Sequence, residues 1–193
     1  MIDFRKTKFI KSAPDFSYAP KDRLLPEILL VGKSNVGKST LINLLTENKS
    51  LAKVSSKPGA TKYLNYFLLD DQYYLVDAPG YGFVTDKKYS FRQTMDSMFQ
   101  SKKLKGVIFL LDSRRKLTVD DKVFYNFLID KNLPFVLVLT KSDKINQKER
   151  AAILKDIKQN FVVVQNNEIV FVNYQDKRNI NILKNKIEYL LKL

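Results

Sequence analysis

Apolar and polar positions follow two rhythms along this chain. Short, nearly unbroken apolar runs occur at Glu27–Val31, Val107–Leu111, Phe135–Leu139 and Ile169–Val172, and read as buried strands. Between them, apolar residues recur at spacings of three and four. That predicts helices over Lys38–Thr46, Tyr89–Leu104, Val119–Ile129, Gln147–Asn160 and Asn179–Leu193. Tyr63–Leu69 and Tyr73–Val76, separated by Asp70-Asp71-Gln72, predict a hairpin. Residues 47–60 and Pro79–Lys88 are polar loops. Strand–helix alternation of this kind predicts an α/β fold, a largely parallel sheet covered by helices on both faces. Residues 1–25 are polar and basic, with Pro14 and Pro20, and read as an extension lying on a domain that spans 26–193.

Composition narrows the chemistry. The 193 residues are 45% hydrophobic, enough for one domain with a full core, and contain neither Cys nor His. Disulfides, thiolate or imidazole metal ligands and imidazole acid–base catalysis are therefore excluded. No apolar run approaches the ~20 residues of a membrane helix, and the charged N-terminus lacks a signal-peptide core. The expectation is a soluble cytoplasmic protein. Lys and Arg exceed Asp and Glu by 14 charges, and 27 of the 34 cations are Lys. Such an excess suits a polyanionic partner. A lysine-rich proteome would give the same figure, because composition does not locate a patch.

Glycine placement points to a site. Five of the six glycines (Gly32, Gly37, Gly59, Gly80, Gly82) fall in three short clusters beside strand-like runs. Gly32-Lys33-Ser34-Asn35-Val36-Gly37-Lys38-Ser39, followed by Thr40, matches G-x-x-x-x-G-K-[ST] between a strand and a helix. From this chain's own residue frequencies, about 0.003 such matches would arise by chance. In this motif the glycines let backbone N–H groups converge on phosphate oxygens. Lys38 would reach the β- and γ-phosphates, and the Ser39 hydroxyl would ligate Mg²⁺. Asp77-Ala78-Pro79-Gly80 follows a strand, where a magnesium-orienting carboxylate belongs, and the Gly80 N–H could face a γ-phosphate. A plain turn would also fit those four residues. Thr140-Lys141-Ser142-Asp143 closes another strand. The Asp143 carboxylate can accept from both guanine N1–H and the N2 amino group, a donor pair adenine lacks, and the Lys141 stem can pack along the base.

With these residues in hand, the chain resembles the EngB (YihA/YsxC) family of bacterial ribosome-assembly GTPases. The shared strings are GKSNVGKS (32–39), SSKPGATKYLNY (55–66), DAPGYGF (77–83) and TKSD (140–143). The resemblance implies a six-stranded, mostly parallel sheet with one antiparallel strand, as in Ras-like P-loop NTPases. It also implies a GTP/GDP switch using Mg²⁺, held by Ser39, Thr61 and Asp77. A monomer acting on the large ribosomal subunit or its precursor is expected, with a direct or indirect link to septation. Thr61 would be the switch threonine, moving with Gly59 and Ala60; Lys38, Thr61 and Gly80 would serve hydrolysis. Asn35 matches a residue that helps hold K⁺ in related GTPases, and is equally read as a turn residue. Tyr81 stands where many GTPases carry a water-orienting glutamine, so intrinsic hydrolysis should be slow. The base loop departs from the family pattern, leaving Phe171, Val172 and Asn173 as its candidate contacts. A binding module with negligible hydrolysis is the main alternative. A P-loop kinase is weaker still, since Arg114-Arg115 is the sole close arginine pair.

Overall fold

A computed structural model describes residues 1–21, 24–54, 63–81, 99, 101–162, 164, 168–173 and 175–193. It contains a seven-stranded sheet: β1 (Lys8–Ala13), β2 (Glu27–Gly32), β3 (Leu64–Leu69), β4 (Tyr73–Asp77), β5 (Leu104–Asp112), β6 (Phe135–Thr140) and β7 (Ile169–Phe171). The spatial order is β1-β3-β4-β2-β5-β6-β7. β3 runs antiparallel to both its neighbours, and the remaining pairings are parallel.

The central strands are buried on both faces because alternate residues supply two separate cores. Leu29, Val31, Val107, Phe109, Leu137 and Leu139 face one core. Ile28, Leu30, Ile108, Leu110, Val136 and Val138 face the other. The first is closed by α2 (Val119–Asp130) and α3 (Gln147–Asn160), through Phe124, Leu128, Ile153 and Ile157. The second is closed by α1 (Lys38–Thr46) and α4 (Lys177–Leu191), through Leu41, Leu45, Ile180, Leu183 and Ile187. Reciprocal capping boxes start α2 (Thr118 with Asp121) and α3 (Asn146 with Glu149). Asp70 and Asp71, with φ of 50° and 54°, make the tight turn of the expected hairpin between β3 and β4.

Three sequence expectations need correction. The sheet has seven strands rather than six, because Lys8–Ala13 pairs antiparallel with β3. Only Ala13 of that strand is buried, so its hydrophobic pattern carries no period-two signal. Leu104, expected to end a helix, instead opens β5 opposite Glu27; residues 82–98 and 100 lie outside the described residues. The last helix starts at Lys177, two residues early, because the Asp176 carboxylate accepts from the N–H groups of Arg178 and Asn179.

Two buried polar groups stand apart, one at the start of β2 and one within β3. Glu27 is 1% exposed and Tyr66 wholly buried, yet Glu27 Oε2 and the Tyr66 hydroxyl have no hydrogen-bond partner among the described residues. Burial lifts the Glu27 carboxyl to about 7, against the opposing pull of Lys103.

Candidate functional site

The parallel strands deliver their carboxyl ends to one edge of the sheet, where ligands of such folds bind. Gly32 ends β2 there. A Cβ on it would lie 2.7 Å from the Leu110 carbonyl oxygen and 2.8 Å from Val36 Cγ1, so no larger residue fits. The loop then turns back through Asn35 (φ 62°) and Gly37 (φ 112°) into α1. Gly37 caps α1 without a side chain, and the helix has no acidic residue in its first turn. Its leading N–H groups and positive dipole end therefore suit an anion. Lys33, Ser34, Ser39 and Thr40 are half-buried and Asn35 is exposed.

Lys38 and Asp77 form the buried charged centre. The Lys38 ammonium donates to the Gly32 carbonyl at 3.3 Å and is 7% exposed. Asp77 is 1% exposed, and its Oδ1 has no partner among the described residues. Burial pushes the Lys38 amine down and the Asp77 carboxyl up to about 6, while each charge favours ionisation of the other. A buried carboxylate oxygen with no donor, beside a desolvated ammonium, suits a divalent cation and a phosphate chain. The residues present thus fit magnesium and a nucleoside polyphosphate.

Asp77-Ala78-Pro79-Gly80-Tyr81 continues from β4 along the phosphate loop. Ala78 N–H donates to the Leu30 carbonyl at 3.1 Å, and Ser34 N–H to the Tyr81 carbonyl at 3.3 Å. A Cβ on Gly80 would meet Ser34 N and Cα at 2.7 Å, so glycine is required there by close approach. The Tyr81 side chain turns away from the phosphate loop into the core. Its hydroxyl donates to Asp121 Oδ1 at 2.6 Å, and its ring stacks on Phe124 at 5.9 Å. Burial and the Asp121 carboxylate push the phenol well above its ordinary range. Gly59, Ala60 and Thr61, with Gly82 and Phe83, lie outside the described residues.

The third motif is tied to the first. The buried Thr140 hydroxyl lies 2.7 Å from the Val36 carbonyl and 3.1 Å from that of Leu111. Lys141, with φ of 58°, donates through Nζ to the Asn35 carbonyl at 2.9 Å and to Asp112 Oδ2 at 2.9 Å. Asn35 thus serves as a turn residue and an anchor. Asp143 sits in a one-turn helix beside Lys144, its carboxylate partly accessible. The 171–173 segment joins this strand end: Val172 N–H donates to Leu139 and Ser142 N–H to the Val172 carbonyl. The Phe171 and Val172 side chains are buried in the two cores, Phe171 under the Arg150 guanidinium at 3.8 Å. The Asn173 side chain accepts from the N–H groups of Gln175 and Asp176, starting the turn into α4. What Phe171 and Val172 can offer a base is backbone.

Asp112 and Asp121 belong to no motif, and Arg114, half of the arginine pair, is bonded to Asp112. Asp112 was detectable in principle, since it ends a parallel strand at the same sheet edge as Asp77.

A family described as "50S ribosome-binding GTPase" matches residues 27–141. Among curated proteins, the chain is similar to a "Probable GTP-binding protein EngB" of Thermoanaerobacter pseudethanolicus, 42% identical over 88% of this chain and 90% of the relative. A Mycoplasma capricolum protein of the same description is also 42% identical, over 91% and 92%. Among solved structures, a probable GTP-binding protein engB superposes with a TM-score of 0.65 at 24% identity, covering 86% of this chain and 98% of that one. Era, in complex with MgGDPNP and a 16S ribosomal RNA segment, gives 0.60 at 24% identity over 87% and 56%. Both structural likenesses bear on the fold.

Proposed function

Because the chain belongs to the EngB family of GTP-binding proteins, we propose that it is a slow GTPase whose GTP form acts in assembly of the large ribosomal subunit. What supports the nucleotide part is the convergence at one sheet edge of the phosphate loop with Asp77–Gly80, tied to it through Tyr81, and with Thr140–Asp143, tied to it through Thr140 and Lys141.

In this reading Asp143 accepts from the guanine edge, and the stem of Lys141 lies along the base. Lys38, already stripped of water, meets the β- and γ-phosphates. Ser39, Thr61 and Asp77 would hold Mg²⁺, which when bound offsets charge on the phosphate oxygens. Gly80 would offer its N–H to the γ-phosphate. The Tyr81 hydroxyl is committed to Asp121, so this side chain does not orient an attacking water. A group from a partner, or K⁺ near Asn35, must complete the site, and turnover alone is slow. Rates in K⁺ against Na⁺ separate those two sources.

The excess of 14 positive charges supports a partner rich in phosphate, the large ribosomal subunit or its precursor. Among the described residues no helix is long and apolar enough to cross a membrane. A cytoplasmic monomer is the working assignment, with a direct or indirect link to septation. The test is co-sedimentation with large subunits across a salt series, comparing a non-hydrolysable GTP analogue with GDP. Analogue-dependent pelleting that salt reverses is expected. Equal pelleting with both nucleotides would favour a second reading, a binding module with negligible hydrolysis, for which the diverted Tyr81 speaks. No pelleting would remove the ribosomal partner.

A further inference from the structure

The residue that holds Lys141 in place belongs to none of the three motifs. Asp112 ends β5 directly opposite Thr140 of β6. Its Oδ2 accepts from Lys141 Nζ at 2.9 Å, and the same ammonium donates to the Asn35 carbonyl of the phosphate loop at 2.9 Å. Arg114 grips the carboxylate from the other side, Nε to Oδ1 at 2.9 Å and Nη2 to Oδ2 at 2.7 Å. Its own N–H adds a third bond to Oδ1, at 3.1 Å. The Asp112 side chain is 12% exposed and that of Lys141 21%. Burial would raise the Asp112 carboxyl, but the hydrogen bonds from Arg114 and Lys141 outweigh it and hold the group well below the usual carboxylate range.

A lysine side chain has four rotatable bonds and loses considerable freedom when fixed. Lys141 is nevertheless needed in one place, with its stem along the base plane and its head on the phosphate loop. An ionised carboxylate, itself fixed by a two-pronged arginine contact, removes that freedom before nucleotide arrives. We propose that Asp112 is a positioning residue for guanine-nucleotide binding, acting through Lys141 to lock the base-recognition strand onto the phosphate loop. The proposal rests on the reading of this edge as the nucleotide site. Asp112, Lys141, Asn35 and Thr118 also line a cavity of about 90 Å³, so an amide at position 112 can be hydrated rather than repacked.

The test uses the full chain and fluorescent GDP and GTP analogues in stopped-flow release and equilibrium titration. Asp112→Asn should weaken both nucleotides about tenfold through faster release. Single-turnover hydrolysis at saturation should stay within about twofold, a split between affinity and chemistry. In a Lys141→Met background the same substitution should add less than about twofold, because its route is gone. Full additivity of the two losses, or unchanged release in Asp112→Asn, overturns the proposal. Should Asp112→Asn not fold, Arg114→Lys, which removes the fork, carries the expectation at about threefold, and unchanged release there is equally fatal. Failure of the site reading looks different: wild-type protein and Lys141→Met would then bind GDP alike, or neither would bind.

Discussion

Replacing Glu27 with glutamine should make the protein's stability less dependent on pH. The native carboxyl is buried, lacks a partner for Oε2, and titrates at about 7 rather than 4.5. A carboxyl raised in this way favours the fold while it is protonated. Its contribution is full below pH 4.5 and is lost as pH rises through 7. A difference of roughly 2.5 pH units at 1.36 kcal/mol each bounds that contribution at about 3 kcal/mol. Between pH 5.5 and pH 8 about 2 kcal/mol of it disappears. The amide of the Glu27→Gln variant does not titrate, so the stability of the variant relative to wild type should improve by that amount across the interval. Urea denaturation of both proteins at pH 5.5, 6.5 and 8, at one fixed nucleotide concentration, measures it. Asp77, also displaced upward to about 6, is common to both and cancels in the comparison. A difference between the two proteins that stays constant with pH would refute the reasoning.

Other outcomes follow from the site itself. Asp143→Asn should shift preference from GTP towards XTP, because an amide presents a donor where xanthine carries an oxygen. Unchanged guanine preference in competition binding would remove Asp143 from base recognition. Tyr81→Phe leaves Asp121 without its 2.6 Å donor and should cost about 2 kcal/mol in urea unfolding. It should leave GTP turnover within about twofold, and a larger loss would mean the hydroxyl takes part in hydrolysis.

Much of this architecture could be read from the sequence because the central strands and helices each announce a single period. β2, β5 and β6 are buried on both faces and read as continuous apolar runs, while α1 and α3 match their predicted limits residue for residue. β1 escaped because an exposed edge strand needs no apolar face, and Phe9 and Ile10 are in fact 49% and 41% exposed. At this sheet edge, residues whose backbone or charge answers a fixed chemical demand could be singled out from their motifs: Gly32, Lys38, Asp77, Gly80, Asp143. Those defined by what they touch across the sheet could not. Nothing near Asp112 in the sequence says that Lys141 lies opposite, and nothing about Tyr81 says that α2 supplies Asp121 to receive it.

The contact between the two ends of the described fold has a consequence for the order in which the protein takes shape. Ile2 N–H donates to Glu188 on α4, 186 positions further along, and Phe4 lies buried with its ring beneath Lys184. At roughly 5–20 residues per second, synthesis takes about 10–40 s to span that distance. During that interval the sheet can assemble from β2 onward and the Phe4–Lys6 turn can settle against α1, but the contacts of Ile2 and Phe4 with Glu188 and Lys184 have no partner. The opening segment is therefore held only by α1 and β3 until α4 has cleared the exit tunnel, and its seal against α4 is among the last steps of folding.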